Sequence, residues 1–207
     1  MDILIGTSNP AKINRFSNLL KDYSVRILTP FDLGITEVPE EDGNNPLENA
    51  CIKAAFYAQY CPYVICNDSG LYFRDLPFED PRQPGLNIRS PHGIRLNDEE
   101  MITHYAALAH SMGGRLTAYY LDAIAVSAAG NVSVYKDSED TLTDGAFYLL
   151  DTPSPNRTPG WPLDSLSVNR KTGIYFVDGR ANAQLPDARI KALKEQTAFL
   201  ASAFSLK

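Results

Sequence analysis

The first third of the chain alternates short apolar runs with segments of helical spacing, and this alternation constrains the fold more than any other feature. DILIG at residues 2–6, VRILT at 25–29 and YVIC at 63–66 have the composition of buried strands. Between them, apolar residues recur every three or four positions, as on one face of a helix. Parallel strands need a crossover long enough to hold a helix, so this order predicts an α/β protein.

Both helical segments begin with recognisable start signals. Asn9 precedes Pro10, and Asn45 precedes Pro46. Asparagine is a favoured N-cap residue, and proline is well tolerated at the first helical position. Glu48 stands where a capping box requires an acidic side chain. The two helices are therefore predicted to start at these positions.

The later part of the chain predicts two more helices and several strands. NDEEMITHYAALAHSM and PDARIKALKEQTAFLASAF have helical spacing, whereas LTDGAFYLL and GIYFV favour strands. The strands RLTAYYLDAIAVSA and NVSVYKDSE are expected to be joined by a turn at Ala129-Gly130-Asn131. We therefore expect an elongated mixed β-sheet with flanking helices, forming two lobes around a central cleft.

The 207 residues suit one domain, here predicted to span residues 1–207. One lobe is expected to contain residues 1–73 and 160–207, and the other residues 74–159. No internal repeat or low-complexity linker divides the sequence.

Composition and charge exclude several classes of function. The formal net charge of −6 argues against nucleic-acid binding, which needs a basic surface. No run approaches the roughly 18 apolar residues of a membrane span, and the first residues lack the features of a signal peptide. The three cysteines form no CxxC pair, which is typical of a reducing compartment. We therefore expect a cytoplasmic protein that binds neither nucleic acid nor membranes.

The segment GTSNPAK at residues 6–12 joins the first strand to the first helix. Backbone N–H groups at a helix start, together with the helix dipole, attract anions. Thr7, Ser8 and Asn9 add hydrogen-bonding groups, and Lys12 adds a positive charge in the first turn. The segment therefore predicts an anion site, although helix capping alone would also explain these residues.

Acidic residues precede the second helix, and a lysine lies within it. Glu40, Glu41 and Asp42 form a short acidic run in which one carboxylate could bind Mg²⁺, which prefers oxygen ligands. Lys53 lies one turn after Asn49 on the same face of the helix, among apolar neighbours. It could contact phosphate, or it could extend along the helix edge with its ammonium in water.

The stretch NDSG at residues 67–70 follows the apolar run YVIC. We expect the strand to end there, with Asp68 at its carboxyl end as a metal ligand or a general base. Ligands of open α/β sheets gather at such strand ends. An ordinary turn is the alternative, because Asp-Ser-Gly is a favourable turn sequence.

Taken in order, these motifs resemble the inosine triphosphate pyrophosphatase family, the ITP/XTP diphosphatases that remove non-canonical purine nucleotides. TSNPAK is similar to the family's TxNxxK, EEDGNNPLENACIKA to its EETGxTFxENAxxKA, and NDSGL to its DDSGL. QPGLNIRS, GWPLDS, RKTG and DARIKALK resemble later family segments more loosely. The resemblance implies an elongated mixed α/β fold with a cleft between two lobes, usually as a homodimer. It also implies Mg²⁺-dependent hydrolysis of a nucleoside triphosphate to the monophosphate and pyrophosphate.

The resemblance assigns roles to individual residues. Asp68 would be the base for the attacking water, and Lys53 would contact phosphate beside it. Glu41, Asp68 and Asn67 would be the Mg²⁺ ligands. The residues expected to bind substrate, from the motifs or from the resemblance, are Thr7, Ser8, Asn9, Lys12, Ser69, Trp161, Asp164, Lys171 and Arg189.

The chain departs from the family pattern at two motifs. Asn67 replaces the first Asp of DDSG, which keeps an oxygen ligand but removes a charge. Asp187-Ala188-Arg189 replaces a Ser-His-Arg that recognises the purine in the family. Separately, Trp161 in GWPLDS could stack on a base or belong to the core. We therefore expect triphosphate hydrolysis with an altered base preference. A Maf-type nucleotide pyrophosphatase and a non-catalytic nucleotide-binding protein remain alternatives.

Overall fold

The structure is a computed structural model that describes residues 1–179 and 187–207. The strands are β1 (Asp2–Ile5), β2 (Arg26–Leu28), β3 (Tyr63–Phe73), β4 (Arg115–Ala128), β5 (Asn131–Lys136), β6 (Phe147–Leu150) and β7 (Ser167–Val168). The helices are α1 (Pro10–Leu19), α2 (Pro46–Tyr57), α3 (Asp98–Ser111), α4 (Glu139–Asp144), α5 (Phe176–Gly179) and α6 (Asp187–Ala203). None of the helices in the described ranges combines the length and apolarity that a membrane span requires.

The strands form one mixed sheet of seven strands within the described residues, in the order β2-β1-β3-β4-β6-β7, with β5 paired to β4. β1 is parallel to both β2 and β3, and Leu4 pairs with Leu28 on one side and Val64 on the other. The parallel start predicted from the strand–helix alternation is therefore confirmed. β4 pairs antiparallel with β5 and β6, and β6 pairs antiparallel with β7.

The β4–β5 connection is the turn predicted from the sequence. Ala129 and Gly130 separate the two strands and have φ angles of 49° and 88°. Two-residue hairpin turns with positive φ at both positions match the right-handed twist of the paired strands.

Two strand predictions were wrong. The first part of LTDGAFYLL belongs to α4, in which Thr141 O accepts from Gly145 N at 2.8 Å, and only Phe147–Leu150 is a strand. The last two residues of GIYFV begin α5, and Gly179 N donates to Tyr175 O at 2.9 Å. Both runs are apolar and short, so their periodicity alone does not distinguish strand from helix.

The predicted end of a strand at NDSG was also wrong, because β3 runs without interruption from Tyr63 to Phe73. The polar side chain of Asn67 is accommodated inside the sheet by a hydrogen bond to Ala123 O. At Gly70, a Cβ atom would lie 2.9 Å from Gly85 O, so a close backbone approach requires the glycine and no turn is involved.

Contacts divide the chain into two compact units. Unit 1 contains Met1–Ser69, Leu121–Ser138 and Asp187–Lys207, and unit 2 contains Gly70–Tyr120 and the described part of Glu139–Pro186. These bounds differ from the expected lobes, since 121–138 falls in unit 1, and 70–73 and 160–179 fall in unit 2.

Each unit has its own hydrophobic core. In unit 1, side chains of β1, β3 and β4 pack with α1 and α6 on one face, around Phe16 and Leu200, and with α2 on the other, around Tyr57. In unit 2, the core surrounds Tyr105 of α3 and Phe147 of β6. Helices on both faces of the sheet in unit 1 explain why β1 and the start of β3 are almost entirely apolar.

Candidate functional site

The carboxylate of Asp68 is the centre of a polar cluster in unit 1. Its Oδ1 lies 3.2 Å from Lys53 Nζ and 3.9 Å from Lys12 Nζ, and its Oδ2 accepts from Asn49 Nδ2 at 3.1 Å. Only 13% of the Asp68 side chain is exposed. β3 thus supplies the carboxylate, α1 supplies one of the two lysines beside it, and α2 supplies the other lysine and the amide.

Lys53 connects two carboxylates. Its Nζ lies 2.6 Å from Glu41 Oε2 as well as 3.2 Å from Asp68 Oδ1, and its side chain is largely buried. Of the three acids before α2, Glu41 is therefore the one that reaches the cluster in the described structure. The Lys53 ammonium is therefore buried beside carboxylates and does not extend along the helix edge into water.

The start of α1 is built as the sequence predicts. Asn9 Oδ1 accepts from Ala11 N at 2.9 Å and Lys12 N at 3.4 Å, and Thr7 Oγ1 accepts from Asn9 N at 3.1 Å. Ser8 and Asn9 are exposed. The Asn9 oxygen is thus used in capping the helix, while the Asn9 amide protons and the hydroxyl protons of Thr7 and Ser8 are the groups able to donate to an anion.

Lys12 extends from the first turn of α1 to β3. Its Nζ donates to Asn67 O at 3.2 Å and lies close to the Asp68 carboxylate. Burial lowers the pKa of Lys12 from its ordinary value, and the nearby Lys53 lowers it further, while Asp68, Asp122 and Glu41 oppose this change. The carboxylates around Lys12 therefore offset part of the unfavourable effect of burial and of Lys53.

The side chain of Asn67 is buried, with 4% of the residue exposed. Its Nδ2 lies 2.6 Å from Asp122 Oδ1 and 2.9 Å from Ala123 O. Its Oδ1 has no hydrogen-bond partner within the part of the chain that the structure describes.

The loop before α2 approaches the helix closely at Gly43. Gly43 N donates to Asn49 Oδ1 at 2.9 Å, while Asn49 Nδ2 donates to Asp68. A Cβ atom at Gly43 would lie 2.6 Å from Asn49 Oδ1 and 2.9 Å from Asn49 N. Glycine is therefore needed for the contact that connects this loop to Asp68.

Gly43→Ala is expected to lower the free energy of unfolding by about 1–3 kcal/mol, as overpacking of a close contact does. Urea denaturation measures this change. Gly179→Ala is the control, because its Cβ would make an ordinary 3.6 Å contact with Ile174. A Gly43→Ala protein as stable as the unmodified chain would contradict the tight approach.

The other predicted site residues are distributed over both units. Ser69 is half-buried in β3, next to Asp68. In unit 2, Trp161 is 48% exposed, Asp164 is buried and Lys171 is exposed. The side chain of Arg189 lies outside the described residues, so its predicted role stays a prediction.

Sequence reasoning missed three polar residues around the cluster, namely Asn49, Arg15 and Asp122. Asn49 was noted only as a neighbour of Lys53, although its spacing placed both side chains on one face of α2. Arg15 lies on α1 three positions after Lys12. Asp122 is a lone acid in the apolar strand segment LDAIAV, and a charge in such a place needs a buried partner.

Fold and site together define a class of protein: a mixed α/β protein in which two lysines and two carboxylates meet beside the start of its first helix. The sequence model of the Ham1 family matches residues 3–145, and the chain belongs to this family. The family resemblance inferred from the motifs is thereby confirmed.

Curated relatives share much of the sequence. The dITP/XTP pyrophosphatase of Thermoanaerobacter pseudethanolicus is 44% identical over 156 residues, which are 74% of this chain and 73% of the relative. The dITP/XTP pyrophosphatase of Caldanaerobacter subterraneus is 38% identical over 182 residues, which are 86% of this chain and 80% of the relative.

Solved structures share the fold. The Staphylococcus aureus Ham1 protein has a TM-score of 0.74 at 23% identity, covering 98% of this chain and 99% of that protein. A HAM1 protein from Coxiella burnetii has a TM-score of 0.76 at 20% identity, covering 98% and 100%. The predicted mixed α/β fold is confirmed.

Proposed function

We propose that this chain is a nucleoside-triphosphate pyrophosphatase, which hydrolyses non-canonical purine nucleotides such as ITP and XTP to the monophosphate and pyrophosphate. Membership of the Ham1 family and the dITP/XTP pyrophosphatases among its relatives support this activity. One observation assigns this activity to particular residues: Lys53 Nζ lies 2.6 Å from Glu41 Oε2 and 3.2 Å from Asp68 Oδ1.

Charge balance supports a role for a divalent cation. Lys12 and Lys53 face the carboxylates of Asp68 and Glu41, so this cluster offers a triphosphate little net positive charge. A cation that takes over the carboxylates would release the lysines to bind phosphate oxygens. Positive charge and hydrogen-bond donors placed around phosphate are the main source of catalysis in such reactions.

The donor set fits Mg²⁺. Mg²⁺ is commonly bound by one or two carboxylates together with substrate phosphates and water. Glu41 and Asp68 supply the carboxylates. Asn67, the neighbour of Asp68 in β3, directs its side chain to the opposite face of that strand, towards Asp122, so its role as a metal ligand stays a prediction. The described ranges hold no group of three His, Cys, Asp or Glu side chains able to bind a metal, so substrate and water would complete the shell. Bound there, Mg²⁺ supplies positive charge that offsets the charge of the triphosphate.

The protein's own residues account for the remaining chemistry. Water attacks the α-phosphorus, the bond from that phosphorus to the bridging oxygen breaks, and pyrophosphate leaves. Asp68 accepts the proton of the attacking water, as a positioned carboxylate can. Lys12, Lys53 and the start of α1 orient the phosphates. Ser69 contacts phosphate in this proposal, while the substrate-binding roles of Trp161, Asp164, Lys171 and Arg189 stay predictions. A homodimer and a cytoplasmic location stay predictions.

The proposed function is tested with ITP, dITP, XTP and the standard nucleotides, with Mg²⁺ or with EDTA. Phosphate is measured before and after inorganic pyrophosphatase is added. We expect phosphate only after that addition, highest rates with one or more non-canonical purines, and no turnover in EDTA. Phosphate released directly would contradict the bond assignment.

The same panel separates the alternatives. Preference for pyrimidine nucleotides would favour a Maf-type enzyme. A nucleotide-dependent rise in melting temperature with no product from any substrate would identify a non-catalytic nucleotide-binding protein.

A further inference from the structure

The amide of Asn67 is held in one orientation by Asp122. Its Nδ2 lies 2.6 Å from Asp122 Oδ1, 2.9 Å from Ala123 O and 3.1 Å from Asp68 O, so its two hydrogens are shared among three acceptors. All three partners are acceptors, and a rotated amide would place its oxygen against them. The nitrogen must therefore face Asp122, and the buried oxygen must face away from it.

Asp122 is in turn held by Arg15. Arg15 Nη1 donates to Asp122 Oδ1 at 3.3 Å, and Nη2 pairs with Oδ2. The same Nη2 donates to Oε1 of Gln196, which is fully buried in α6, at 3.0 Å. Asp122 is 8% exposed and Arg15 is partly buried, and the pair has the Asn67 amide at one end and the Gln196 amide at the other. Members of such a network strengthen one another's hydrogen bonds, so removal of one member is expected to weaken the rest.

Two main-chain carbonyls connect this network to the proposed catalytic residues. Asn67 O accepts from Lys12 Nζ at 3.2 Å, and Asp68 O accepts from the Asn67 amide at 3.1 Å. The Asn67 side chain and the contact of Lys12 thus depend on the same short stretch of backbone, which also carries Asp68.

We propose that Asp122 is a positioning residue of this site, which sets the orientation of the Asn67 amide and, through it, the positions of Lys12 and Asp68. The proposal rests on the proposed function for its kinetic consequence. It also explains why this chain carries an amide at position 67: a carboxylate there would face Asp122 across a hydrogen-bond distance.

Exchanging the two side chains tests the proposal. The proteins compared are Asn67→Asp, Asp122→Asn, Asp122→Ala and the double variant Asn67→Asp/Asp122→Asn. Asn67→Asp brings two buried carboxylates together, and Asp122→Asn leaves Arg15 without its ion-pair partner. The double variant restores one carboxylate, one amide and one guanidinium. Asp22→Asn and Asn18→Asp, at exposed positions of the same unit, are the matched controls.

We expect each single variant to lose about 10-fold to 100-fold in kcat, the size of effect seen when a supporting hydrogen-bond partner is removed. KM should change less, and the melting temperature should stay above the assay temperature for Asp122→Asn. The double variant should have a higher kcat and melting temperature than Asn67→Asp alone. Equal or lower values in the double variant, or an unaltered kcat in Asp122→Asn, would overturn the proposal.

A direct readout of the amide separates positioning from general destabilisation. The side-chain NH₂ of Asn67 is assigned by NMR from its absence in Asn67→Asp, and its hydrogen exchange is followed. Exchange should be slow in the unmodified protein and fast in Asp122→Ala, or in Asp122→Asn if the alanine variant fails to fold. Unaltered exchange would refute the proposal. This readout needs no turnover, so an unmodified protein that releases no pyrophosphate would refute the proposed function alone.

Discussion

Asp68→Asn is expected to lower kcat for pyrophosphate release by about 10²–10⁴-fold, the contribution of a positioned general base. The amide has the same shape but cannot take a proton from water. Lys53 retains Glu41 at 2.6 Å, and Lys12 retains its hydrogen bond to Asn67 O at 3.2 Å. The fold should therefore survive, and KM should change less than kcat. Steady-state pyrophosphate release and thermal unfolding of the same preparation measure both effects.

Asp22→Asn is the matched control for Asp68→Asn, since it makes the same chemical change at an exposed position of unit 1. It should keep the activity of the unmodified chain. If Asp68→Asn turned over substrate at an undiminished rate, another group would have to accept the proton. If it unfolded, the loss of activity would say nothing about the base, and the kinetics at a lower temperature would decide.

Lys53→Met is expected to stop turnover and also to destabilise the fold. The side chain is 11% exposed, and it is the shared partner of Glu41 and Asp68. Removing the ammonium leaves Glu41 without its ion-pair partner, while Asp68 keeps Asn49 and Lys12, so we expect a cost of about 1–3 kcal/mol. Loss of a cation that faces the transferring phosphate lowers kcat by about 10²–10³-fold. Urea denaturation and pyrophosphate release test the two parts separately.

Two further variants make the Lys53 prediction specific. Lys21→Met removes an exposed lysine of unit 1 and should leave stability and rate unaltered. Lys53→Arg keeps the charge in a longer, planar side chain, so it should recover more of the stability than of the turnover. A Lys53→Met protein with normal stability would contradict the buried pairing, and one with normal turnover would contradict the phosphate contact.

Local sequence patterns predicted much of the fold because their causes are local. Asn9 and Asn45 cap their helices as expected, since the cap bonds are made within a few residues. Glu48 differs in detail: its carboxylate accepts from Asn44 N and from Asn45 Nδ2. The positive φ angles at Ala129 and Gly130 likewise follow from a two-residue connection between strands.

The wrong strand predictions arose where tertiary contacts compete with short apolar patterns. Phe176 belongs to a run that reads as a strand, yet it packs on the unit 2 core from the first position of α5. At NDSG, turn-forming residues continue a strand because their polar groups find partners in the sheet. Propensity is overruled in both places by packing and hydrogen bonding between distant segments.

By itself, the sequence determined the family, the parallel start of the sheet, the capped start of α1 and the main polar residues Glu41, Lys53 and Asp68. Only the tertiary structure decided how these residues are held. Asp122 lies 55 positions from Asn67, and Arg15 lies 107 positions from Asp122. A buried charge must find its partner wherever the fold supplies one, and no local pattern encodes that pairing.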